Sequence, residues 1–148
     1  MSKIMLALLT GMLTTFILDF FLFLGIKQNY IDLHGINLYY NILFADNQNI
    51  FIFSFFTILF GYMITYLENK ITLIGLTLLS TLSLSTLITP IGESLGEIIL
   101  MKKDVVIQTQ RFSYHGDILY NGRTTVTFYD YNIDKILHIK KDKIKGDF

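Results

Sequence analysis

Asp19 is the residue whose type and position promise most chemistry. It lies in the apolar run Ile4 to Ile26, about 10 Å inside its C-terminal end at 1.5 Å per residue, where a carboxylate costs on the order of 3 kcal/mol unless paired or protonated. An acid so placed either helps to move a proton or cation or, protonated, hydrogen-bonds one helix to another, with Ser and Thr of other segments as partners. Glu93 and Glu97 form a second acidic feature, one helical turn apart. They follow the only proline, Pro90, which lacks an amide proton and frees carbonyls near Thr86 and Ile88. Two acids beside open carbonyls suit a proton or cation, and suit a solvated face at a membrane surface equally well.

Other chemistry is thinly represented. His34, His115 and His138 fall in separate segments without the paired spacing of metal sites, so no metal and no cofactor is expected. His115-Gly-Asp117 is a three-residue fragment at an expected turn and carries no hydrolytic signature. There is no glycine-rich phosphate loop, nucleophile elbow or zinc-protease helix, and soluble-type catalysis is not expected. The absence of Cys excludes disulfides, thiolate sites and a lipoprotein anchor. Lys135, Lys140, Lys141, Lys143 and Lys145 are interleaved with Asp130, Asp134, Asp142 and Asp147, which dilutes any potential for nucleic acid and favours headgroup contact or solubility.

The elements that must position these residues are largely apolar. The chain has 148 residues, 52% of them hydrophobic and 16% charged, with a mean hydropathy of +0.50. The apolar bias is concentrated in residues 1–101, read as a transmembrane helical domain with spans near 4–26, 50–67 and 71–90 and an amphipathic segment over 91–101. The first run is too long for a signal-peptide core and lacks a small-residue cleavage site. Small and hydroxyl residues recur at helical spacing on one face: Gly11 and Thr15 with Asp19, each four apart, on the first span, Ser54, Thr57, Gly61 and Thr65, three or four apart, on the second, and Thr77, Thr81, Ser85 and Thr89, each four apart, on the third. Gly92 and Gly96 repeat the spacing after Pro90. Such stripes mark close helix packing, and the alternative reading of the third is a polar pathway through a bundle. Between the first two spans, Asp32-Leu-His34-Gly reads as a turn, and Ile36 to Ala45 as a short interfacial helix with Tyr30, Tyr39 and Tyr40 at headgroup depth.

From residue 102 the period changes to alternation. Val105 to Tyr114 reads as a strand, His115-Gly-Asp117 as a turn and Ile118 to Tyr120 as a second strand. Asn121-Gly122 is a tight hairpin turn, Arg123 to Asp130 a third strand, Tyr131 to Asp134 a turn and Lys135 to Lys140 a fourth strand. Residues 102–148 thus form a small soluble β-rich domain, a meander too small to bury much core alone, expected to close into a small barrel, to pack on the membrane part or to pair with a copy of itself. The fold class is an α+β membrane protein. The plan of a few helices followed by a small β domain is similar to that of NfeD-type membrane proteins, whose terminal domain is an oligonucleotide-binding-type barrel; the similarity is one of layout, and no residue or function is carried over from it.

The expected function is a membrane-anchored interaction or assembly module presenting the β domain, as a homo-oligomer or to a protein partner; the alternative is an oligomeric transporter or channel subunit using Asp19, Glu93 and Glu97. The expected location is the cell membrane, a bacterial cytoplasmic membrane, crossed several times. Lys3, Lys70 and the 42-residue stretch from Gln28 to Asn69 without Lys or Arg place the N-terminus inside, whereas Lys27, Lys102, Lys103 and Arg111 place the tail inside; the larger number of basic residues favours a cytoplasmic tail.

Overall fold

The computed structural model describes residues 2–110 and 112–145. Residues Lys3–Ile26 form helix α1, opened by Ser2, whose side-chain oxygen accepts from the Met5 amide at 3.2 Å. The helix continues without a break into a π-helical turn, Lys27–Ile31, where the Asp32 amide donates to the Lys27 carbonyl at 3.0 Å and so spans one residue more than an α-helical bond. Lys3–Ile31 is the one helix among the described residues that is by itself long and apolar enough to cross a membrane.

After Gly35, at φ +64, the chain doubles back into α2 (Tyr40–Asn47). It then bends by 87° into α3 (Ile50–Tyr66), capped by Asn49, whose side-chain oxygen accepts from the Phe51 and Ile52 amides at 2.9 and 3.3 Å. Helix α4 (Asn69–Ser85) follows a two-residue link and is bent by 86° from α5 (Thr89–Leu100). The third apolar run therefore ends as a helix at Ser85, not at Pro90. Proline sits in the first turn of α5, where its missing amide proton leaves no helical bond unmade, and the break falls upstream at Thr86–Ile88.

Helix α3 runs antiparallel to α1, with Thr57 against Gly11 and Gly61 against Ala7. A Cβ on Gly11 would overlap the Thr57 carbonyl, and one on Gly61 the Ala7 carbonyl, so these backbones meet only because both positions are glycine. Helix α4 returns parallel to α1, tied by the Ser83 hydroxyl donating to the Leu18 carbonyl at 2.5 Å. The outward faces of the three helices are apolar: Leu13, Phe51, Ile58, Leu73, Ile74 and Leu78 are all exposed.

The last third is an antiparallel sheet of four strands in sequence order, β1 (Lys102–Gln108), β2 (Ser113–Asn121), β3 (Thr125–Asp130) and β4 (Lys135–Lys140). Ile107, Ile118, Val126, Phe128 and Ile139 form the core of one face. Leu119, Tyr120 and Tyr129 on the other side join Phe23, Ile26, Tyr30 and Leu43 of the helical part in a second core. The strand pattern agrees with the alternation in the sequence, with three corrections. His115-Gly-Asp117 lies inside β2, not in a turn: Gly116 sits opposite Asp130, where a Cβ would overlap the Tyr129 carbonyl, and the reversal is made upstream, between Thr109 and Phe112. The β2–β3 turn is Arg123-Thr124, closed by the Gly122 amide donating to the Thr125 carbonyl at 3.1 Å, and Asn121-Gly122 needs no positive φ. The sheet is open, not a barrel: a short 3₁₀ turn at Lys141–Lys143 carries Ile144 back to one isolated bridge with Thr109, the only link between the edges among the described residues.

Candidate functional site

The 86° bend sends α5 across the end of the helical bundle, and the space beneath it is a groove of about 630 Å³ between α1, α3, α4 and α5. Its walls are mostly hydrocarbon, with Leu18, Leu22, Phe56, Phe60, Leu79 and Leu82 the larger contributors. Among the described residues Asp19 is the one charged side chain on this lining, alongside the hydroxyls of Thr15, Ser83, Ser85, Thr86 and Ser94. The Asp19 carboxylate accepts from Gln48 Nε2 at 3.1 Å. Gln48 caps α2 two residues before α3 begins, so Asp19 lies level with the start of α3, although α1 continues well past it.

The other sequence-selected residues are dispersed. Glu93 and Glu97 do not line the groove; Glu97 accepts from Lys103 Nζ at 3.1 Å, and the three acids are not brought together. Gly92 and Gly96 turn the opposite way, pressing α5 onto Asn29 and Tyr30 of the π turn. Gly11, Thr15 and Gly61 are buried, with the Thr15 hydroxyl donating to the Gly11 carbonyl at 2.9 Å. Ser54, Thr77 and Thr81 are exposed instead of forming a seam within the chain. The Thr81 hydroxyl donates to the Thr77 carbonyl at 2.8 Å, and Ser85 to the Leu82 carbonyl at 2.7 Å, so these hydroxyls are satisfied on their own helix. The residue that α4 buries is Ser83, two residues from Thr81 and from Ser85 and so on the opposite side of the helix from the stripe.

A polar knot at the α4–α5 break went unread in the sequence. Buried Asn29 donates through Nδ2 to the Thr86 carbonyl at 2.8 Å, and its side-chain oxygen accepts from the Thr89 hydroxyl at 3.2 Å. Thr86 in turn donates to the Ser83 carbonyl at 2.8 Å and packs against Gly25, where a Cβ would overlap its side chain. The carbonyls released by the break thus have partners. The only sequence signal was an amide just past an apolar run, which reads as loop. Tyr30, also buried, donates to the Leu119 carbonyl of β2 at 2.8 Å. Arg123 in the β2–β3 turn makes a two-pronged pair with Asp46 of α2, Nε to Oδ2 at 2.9 Å and Nη2 to Oδ1 at 2.5 Å. This guanidinium holds the Asp46 carboxyl below its usual range.

On the exposed part of the sheet, His115 Nε2 lies 2.7 Å from Asp104 Oδ1, and Asp117 accepts from the Asp104 amide at 2.9 Å and from the Tyr131 hydroxyl. The bond to Asp117 pushes the Tyr131 phenol up to about 12. His34 Nδ1 is 2.8 Å from the Tyr30 carbonyl, and His138 Nδ1 is 3.3 Å from the Thr127 hydroxyl. Among the described residues no three His, Asp or Glu side chains are grouped to hold a metal ion. Compared with protein-family models, curated proteins and solved structures, the chain matches none.

Proposed function

We propose that the chain is a multi-pass membrane protein, with α1, α3 and α4 as three spans, that mounts its C-terminal sheet as a docking platform for assembly with protein partners. The single observation that carries this reading is the seat of the sheet: Tyr30 reaches from the end of α1 to the Leu119 carbonyl inside an apolar core shared by sheet and helices. Support for the spans comes from the up, down, up course of the three helices and their outward apolar faces. Helices α2 and α5 lie across their ends on the sheet side, as interfacial helices do; α3 and α4 reach the length and hydropathy of a span only when each is taken together with the helix bent from it, α2–α3 or α4–α5, as one broken span. The larger number of basic residues near the tail favours a cytoplasmic sheet. The outward Thr77 and Thr81, on a helix that buries only Ser83, favour association of copies through α4.

The transporter reading needs a continuous polar path, and Asp19 alone of the three acids faces the groove. Wild-type and Asp19→Asn protein in sealed vesicles separate the two. The assembly reading expects no proton or cation flux above empty vesicles from either protein, and copies joined by disulfides when Thr77→Cys is placed in this cysteine-free chain. Flux abolished by Asp19→Asn would establish transport instead. Paired reporters fused after Phe148, one active only in cytoplasm and one only outside, fix the side of the sheet; cytoplasmic activity is expected.

A further inference from the structure

We propose that the groove beside Asp19 seats one hydrocarbon chain of a bilayer lipid whose headgroup carries a primary ammonium, a cation that can also donate a hydrogen bond. This rests on the membrane placement above and adds a ligand to it. The volume of 630 Å³ is within the range of small-molecule sites, and walls built largely from Leu18, Leu22, Phe56, Phe60, Leu79 and Leu82 offer a chain mostly apolar contact. A groove open sideways to a bilayer is surrounded by hydrocarbon, so a lipid chain is its natural occupant.

Charge selects among lipids. Among the described residues no Lys, Arg or His lines the groove, and Asp19 is its only charged group. Gln48 holds one carboxylate oxygen, while the other has no hydrogen-bond partner among the described residues. A donor that is also a cation complements that oxygen, whereas an anionic headgroup meets repulsion without a compensating base. Depth agrees with this. Asp19 is level with the start of α3 through Gln48, and its neighbour Leu18 is tied to Ser83 near the end of α4. Two of the three spans therefore reach their rim at the carboxylate, where a headgroup lies, and the apolar walls continue below it along α3 and α4.

The chain contains no tryptophan, so one introduced indole reports one place. Ile98, exposed on α5 at the groove, and Ile74, exposed on the open side of α4, are the two positions. The full-length Ile98→Trp and Ile74→Trp proteins are reconstituted in phosphatidylcholine vesicles with increasing amounts of chain-brominated lipid carrying either an ethanolamine or a glycerol headgroup. Indole quenching at Ile98→Trp is expected at a roughly fivefold lower mole fraction of the ethanolamine lipid, the size of one partly exposed charge pair. The preference should vanish in Ile98→Trp with Asp19→Asn, and Ile74→Trp should be quenched equally by both lipids. Equal quenching of Ile98→Trp by the two headgroups, or a preference that survives Asp19→Asn, overturns the proposal while leaving the spans standing. An Ile74→Trp indole that neither lipid quenches overturns the membrane placement, and the lipid site with it.

Discussion

At the crossing of α1 and α3, two missing side chains decide how closely the helices approach. Gly11→Ala and Gly61→Ala each drive a methyl into a backbone carbonyl, which cannot move aside as a side chain can. Each substitution is expected to destabilise by about 1–3 kcal/mol, the usual penalty of overpacking, read as a lower midpoint of thermal unfolding in detergent. Gly75→Ala is the control, since its methyl would meet only the flexible tip of Met63, and a much smaller change is expected. Gly11 and Gly61 were legible in the sequence because their spacing puts small residues on one face of an apolar helix. Thr77 and Thr81 have the same spacing, yet a hydroxyl that bonds its own helix looks identical in sequence to one that bonds a neighbour. Asn29 was hidden for the opposite reason: its partners, Thr86 and Thr89, are some sixty residues away and exist only because the chain breaks between them.

Elements were easier to recognise than their ends. Apolar runs of helical length and the alternation after Asp104 gave the kinds of element, but the third helix stops short of Pro90 because proline is welcome at the beginning of α5. Gly116 misled in the same way, since glycine serves close approach within a strand as readily as it serves a turn. Between elements, the Arg123–Asp46 pair clasps the β2–β3 turn to α2. Because the Asp46 pKa is lowered from 3.8 in the folded protein, the clasp stabilises fully above that value and is lost as pH falls through the lowered one. Amide protection of α2, corrected for intrinsic exchange, should therefore decline on acidification below pH 3.8, and Arg123→Ala should remove that part of the decline.

For the molecule as a whole, the sheet and the helices share a core instead of being joined by a linker. Tyr30→Phe keeps the ring in place but leaves the Leu119 carbonyl buried without its donor, a loss of about 1–1.5 kcal/mol. Trypsin cleavage at Lys102 and Lys103 is expected to quicken roughly five- to tenfold as the seat loosens. An unchanged rate would mean that the apolar contacts around Tyr30 hold the sheet without the bond. That so small a sheet packs on the helical part was one of the readings its size allowed, but the residues of the seat were not visible in the sequence, because Tyr30 reads as an interfacial aromatic and Leu119 as an ordinary strand residue. The π turn at Lys27–Ile31 also has a rotational meaning. Each residue of a helix advances its side chains by about 100°, so the extra residue held in that turn sets the compass bearing of Asn29 and Tyr30 relative to the groove. Removing a single residue there would swing both away from α5 and Leu119. The length of this helix to the residue, more than its hydrophobicity, therefore governs how the two halves of the molecule are indexed to one another.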